Sequence, residues 1–84
     1  MSKVKVAFAS KNFQSNEMIE FKIYDQYENL IYESFGNEWS DSGVYYIEVN
    51  LYFPWFFHRT YLVIAKEVFG IWKSAKLISK KNVV

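Results

Sequence analysis

Polar and apolar residues alternate with a period of two along most of the chain. Val4, Val6 and Phe8 share one side of segment 3–9, with Lys3, Lys5 and Ala7 on the other. Segment 17–24 repeats the pattern, with Ile19, Phe21 and Ile23 inward and Glu20 and Lys22 outward. Strands that bury one face and wet the other carry this signature. Polar residues 10–16 separate the two segments as a turn. In 25–29, Asp25 and Asn29 have side chains suited to bonding nearby backbone. The short strand Leu30 to Phe35 follows, so 17–35 is predicted to be a hairpin.

Residues 36–43 form the clearest loop, with glycine at each end. Trp39 lies within it and is expected to fold back as a lid on the core, the alternative being a ligand-stacking ring. From Val44 to Leu51 the alternation returns, with Tyr45, Ile47, Val49 and Leu51 inward and Tyr46, Glu48 and Asn50 outward. Segment 60–67 is nearly continuous in apolar residues from Tyr61 to Ala65, which predicts a central strand covered on both faces. Gly70 marks a turn or bulge, 71–79 reads as the last strand, and 80–84 as a frayed tail. No segment sustains a helical period with caps, so no long helix is expected. Six or seven short strands in one domain, 1–84, predict an all-β fold, a small antiparallel β-sandwich.

One segment breaks the pattern. Leu51-Tyr52-Phe53-Pro54-Trp55-Phe56-Phe57 sets five aromatic side chains around the single proline of the chain. It does not alternate, and proline has no place in a central strand. Continuing the register from 44–51 puts Phe53 inward and Tyr52 outward, with Pro54 ending the ladder. Residues 55–59 then form a loop or short edge segment. The run either closes the bottom of the sandwich as core or presents a surface to a partner.

Composition favours the second use. The chain carries 3 Trp, 7 Tyr and 8 Phe in 84 residues and has no cysteine. An interior this small cannot hide every such ring, each able to bury on the order of 150–250 Å². Disulfides are excluded, and with a single histidine a zinc site of Cys and His is nearly so. The net charge of +1 implies neither nucleic acid nor an anionic membrane as partner. Lys73, Lys76, Lys80 and Lys81 give one local basic bias, read as a solvated terminal strand. No apolar stretch reaches 18 residues and the N-terminus lacks a signal-peptide layout, so synthesis in a cytoplasm is expected. Frequent Lys, Asn, Ile, Phe and Tyr, which have AT-rich codons, suggest an AT-rich bacterium or one of its phages as the source.

The segments Phe21-Lys22-Ile23-Tyr24-Asp25, Asn29-Leu30-Ile31-Tyr32, Gly43-Val44-Tyr45-Tyr46-Ile47 and Thr60-Tyr61-Leu62-Val63-Ile64-Ala65 together resemble an immunoglobulin-like or macroglobulin-type β-sandwich. Such domains show a strand ending in Asp, a polar turn, a strand opened by Gly and a late strand of the form x-Tyr-x-Val. The likeness spans roughly residues 17–78. It departs from the pattern in having no Cys pair, and in placing Arg59-Thr60 where a glycine commonly precedes the late Tyr. Small domains of this kind are common in phage heads, necks and tails. The resemblance therefore implies a structural module of a virion, made in the host cytoplasm, and it transfers no functional residue.

Catalytic signatures are missing. His58 is read as a plain loop residue, because nothing local supplies the acid and hydroxyl of a hydrolytic set. Glu33, Glu38 and Asp41 lie in one region but are read as solvated charges. No phosphate loop, calcium loop or metal-spaced cluster is present, so no enzyme activity, cofactor or metal is expected. Partner-binding residues are expected at Tyr52, Pro54, Trp55, Phe56 and Phe57, contacting other copies of the chain or another virion protein. A carbohydrate platform of Trp39, Trp55, Trp72, Tyr46 and Tyr52, with Glu48 and Asn50 supplying hydrogen bonds, is the alternative. Dipping of Trp55-Phe56-Phe57 into a bilayer lacks a basic cluster beside it, so no membrane contact is expected.

Overall fold

A computed structural model describes residues 2–79. Among them are seven strands and, as the one helical element, a 3₁₀ turn at Lys11–Phe13. The strands are β1 (Ser2–Ala9), β2 (Ile19–Tyr24), β3 (Leu30–Phe35), β4 (Asn37–Glu38), β5 (Val44–Leu51), β6 (Thr60–Glu67) and β7 (Lys73–Ser79). Two antiparallel sheets, ordered β1-β5-β4 and β3-β2-β6-β7, make a small β-sandwich. The predicted tail, 80–84, lies outside the described residues, as do Lys80 and Lys81.

The alternation read along the chain packs the interior. Val4, Val6, Phe8, Tyr45, Ile47 and Leu51 of one sheet face Ile19, Phe21, Ile23, Tyr61, Val63 and Ala65 of the other, all buried. Phe8 reaches across to Phe21 with ring centroids 5.8 Å apart and takes the edge of Trp72 at 6.4 Å. Burial of each large side chain contributes about 1.5–3 kcal/mol. The β2–β3 hairpin forms as predicted, and Asp25 builds its turn. Its Oδ1 accepts the backbone N–H groups of Tyr27 and Asn29, both at 2.9 Å, while Oδ2 accepts the Asn29 amide. The Asn29 N–H is the largest influence holding this carboxyl below its ordinary range.

Four expectations are corrected. Trp39 is no lid: it stands 62% exposed in the tight β4–β5 turn, held only by its backbone, which donates to Val44 and accepts from Ser42. Strand β6 is central, yet its second face, Leu62 and Ile64, is only half-buried, because neither sheet among the described residues lies over that side. Strand β7 begins at Lys73, since 68–71 are the turn that precedes it. Lys76 is not simply solvated. Its side chain points between the sheets, lies 4.6 Å from the Phe8 ring centroid and donates to the Ala7 carbonyl. A charge turned inward at an edge blocks stray strand pairing there.

Glu38 is also more than a solvated acid. Oε2 accepts the Ser15 hydroxyl at 2.7 Å and the Gly43 N–H at 2.9 Å, and Oε1 accepts the Asn16 N–H at 3.0 Å. These bonds, that from Asn16 foremost, hold its carboxyl below the ordinary value. Beside it, the buried Tyr45 hydroxyl donates to the Gln14 carbonyl and accepts the Glu17 N–H, both at 2.8 Å. Burial is the main reason that phenol titrates higher than usual. Together Glu38 and Tyr45 fasten the β1–β2 connection over one end of the sandwich. Gly43 completes the fastening at φ +77°, where an added Cβ would strike the Phe13 backbone.

Candidate functional site

The opposite end carries the aromatic run. Strand β5 stops at Leu51, and Tyr52 to Arg59 form the connection to β6 in the other sheet. Phe53 follows the register of β5 inward and meets the Tyr61 ring edge-on, with centroids 5.4 Å apart. The Tyr61 hydroxyl donates to the Tyr52 carbonyl at 2.8 Å, which pins the start of the loop. Pro54 is buried. Its expected place among the contact residues therefore becomes one of support, because its ring lies beneath the surface that its neighbours present.

Above that anchored base the remaining rings turn outward. Trp55 is 86% exposed and Phe56 61%, with Tyr52 and Phe57 more than a third exposed. Trp55 and Phe56 meet edge-to-face at 5.8 Å, and Phe56 and Phe57 tilt together at 5.0 Å. Arg59 lies against this cluster, its guanidinium 5.4 Å from the Tyr52 ring centre and 5.0 Å from that of Phe57. Its Nε is buried without a hydrogen-bond partner. Residues 53–59 enclose a cleft of about 290 Å³. The surface is thus a π-rich, apolar wall with one cation set into it. It suits a partner side chain that is itself apolar or aromatic, with an acidic group nearby.

The site holds no arranged acid–base chemistry. The His58 Nε2 lies 3.0 Å from the Thr60 hydroxyl, but none of the hydrogen bonds described puts a carboxylate on its ring to orient it. Among the described residues no three His, Cys, Asp or Glu side chains are grouped to hold a metal ion. The residues considered for a sugar platform do not converge. Trp39 and Trp55 occupy opposite ends of the sandwich, and Trp72 packs its ring against Phe8. Tyr46 lies under Lys5, whose ammonium is 4.8 Å from the ring centre.

One apolar feature escaped the sequence reading. The β6–β7 turn, at the pole opposite the aromatic loop, carries Phe69 86% exposed and Ile71 92% exposed. Its signal in the sequence is Val68-Phe69-Gly70-Ile71, an apolar run around a turn glycine, in which Gly70 reads as a turn and Ile71 as the start of the last strand. Comparison with protein-family models, curated proteins and solved structures finds no match for this chain.

Proposed function

We propose that this chain is a non-enzymatic assembly module, a component of a phage particle, that holds a neighbouring protein through the aromatic loop at 52–57. The observation that carries the reading is Trp55, 86% exposed, beside the exposed Phe56 on a loop whose base is fastened by Phe53, Pro54 and the Tyr61 hydroxyl. Exposing such rings on a rigid base has no benefit to the isolated chain, whereas aromatic anchors that need little ordering are favoured binding hot spots. The contact set is Tyr52, Trp55, Phe56 and Phe57, with Arg59 giving the surface its charge preference.

Topology supports the same reading. The order β1-β5-β4 over β3-β2-β6-β7 is compatible with the strand order of the immunoglobulin-like sandwiches that the sequence resembles. Tyr61, near the start of β6 and donating back to the Tyr52 carbonyl, is a further point of similarity, because such sandwiches carry a tyrosine bonded back to the loop before a late strand. The virion setting rests on the resemblance and on the residue usage described above. A photo-reactive amino acid placed at Phe56, with the protein expressed during particle production, tests the function. The expected result is one discrete cross-linked product to a particle protein, lost in Trp55→Ala. Absence of the chain from purified particles, or cross-linking spread over many unrelated proteins, would refute it.

A further inference from the structure

The outer face of the four-stranded sheet is a second surface, independent of the aromatic loop. Pairing of the strands fixes which residues share it. Tyr24 lies beside Leu62, and Leu62 beside Leu77; Lys22 lies beside Ile64, and Ile64 beside Ala75; Glu20 lies beside Lys66, and Lys66 beside Lys73. On the far side Leu30 pairs with Tyr24 across the bulge, and Glu33 with Lys22. Half of the face is therefore apolar, with Leu77 70% exposed and Leu30 nearly half exposed. A shallow groove lined by Tyr24, Leu62 and Ile64, with the acidic Asp25 and Glu28 also in its wall, opens on it. The strand whose sequence called for cover on both sides, β6, runs through the middle.

We propose that a second copy of this chain covers this face, forming a two-fold dimer whose axis runs parallel to the strands between β2 and β6. The charge order selects that occupant. Glu33 and Glu20 lie on β3 and β2, with Lys22 held 3.8 Å from each, while Lys66, itself 4.0 Å from Glu20 of the same chain, and Lys73 lie on β6 and β7. One half of the face is thus net acidic and the other basic. Rotation about the stated axis reverses the strand order and keeps each residue at its height. Glu20 then faces Lys66 of the second copy and Lys66 faces its Glu20; the row Leu30, Tyr24, Leu62 and Leu77 lies over its counterpart, and between these rows Lys22 lies over Ile64 and Glu33 over Ala75.

Four strands about 4.8 Å apart and about 20 Å long span roughly 400 Å² per copy before side-chain relief is counted. Two such faces give about 800 Å² in total before side-chain relief, a size at the low end for specific complexes and typical of weak or transient ones.

Sedimentation equilibrium of the full chain tests the proposal, with circular dichroism confirming that each variant folds. Wild type is expected to dimerise, and Trp55→Ala to dimerise equally. Leu77→Lys, at a position that is already solvent-exposed in the monomer, should weaken the dimer at least about 30-fold. Lys66→Glu and Glu20→Lys each set like charges face to face and should weaken self-association about tenfold or more. Their equimolar mixture should recover a heterodimer of wild-type strength, because each copy then supplies the charge the other needs. A wild type monomeric up to about 1 mM would overturn the proposal. So would a dimer unaffected by Leu77→Lys, or a charge-variant mixture that stays monomeric. Loss of the dimer in Trp55→Ala alone would instead assign self-association to the aromatic loop.

Discussion

Replacing Trp55 with alanine separates a ring kept for packing from a ring kept for contact. Trp55 is 86% exposed, so of the roughly 250 Å² its side chain can bury, the monomer hides only about 35 Å². At ~25 cal/mol per Å² that is about 1 kcal/mol at most. Two positions earlier the balance reverses. Phe53 is partly buried and packs edge-on against Tyr61, so Phe53→Ala should cost about 2–3 kcal/mol. Urea unfolding followed by circular dichroism reads both variants on one scale. Affinity for the cross-linked partner should move the other way, with Trp55→Ala losing about 30-fold or more, as expected of a hot-spot tryptophan. If Trp55→Ala destabilises the monomer as much as Phe53→Ala and leaves binding intact, the loop is core and the reasoning fails.

Three further outcomes follow from the opposite end of the sandwich. Tyr45→Phe removes a hydroxyl that satisfies both Gln14 and Glu17 backbone groups, so it should cost about 2–3 kcal/mol, measured by urea unfolding. Gly43→Ala combines a positive φ with a Cβ driven into the Phe13 backbone, and should cost about 2–5 kcal/mol in the same assay. Glu38→Gln should lower the melting temperature at neutral pH and flatten its acid dependence. Because the Glu38 carboxyl is held below its ordinary value, its stabilisation is complete above the unfolded-state pKa and is lost as pH falls through the lowered one. Wild type and variant should therefore converge in acid, and a gap that persists there would contradict the role assigned to the carboxylate.

Local alternation carried most of the fold. In β5 the inward set Tyr45, Ile47 and Leu51 is buried as the pattern requires, and extending its register by two residues placed Phe53 correctly. What the pattern could not reveal depends on partners distant in sequence. Glu38 is read as solvated because its ligands, Ser15 and Asn16, lie more than twenty residues away. Lys76 bonds Ala7 only because the two sheets bring β7 over β1. Trp39 is exposed because the tight turn from Trp39 to Val44 points its ring away from the core, a matter of backbone geometry that hydropathy does not record. The apolar run of β6 marks a central strand, but among the described residues no second layer covers its outer face, so Leu62 and Ile64 are only half-buried. At the candidate site the rings were legible as a cluster, but their division into anchored base and exposed surface required Tyr61, nine residues along.

Fluorescence quenching of Trp55 tests the assembly reading most directly. With Trp39 and Trp72 replaced by phenylalanine, Trp55 is the remaining tryptophan, since the chain has three. Acrylamide should quench it freely in the isolated protein, as its 86% exposure requires, and poorly in the complex with the cross-linked partner that the assembly proposal calls for. Equal quenching in the two states would contradict a contact made through the aromatic loop.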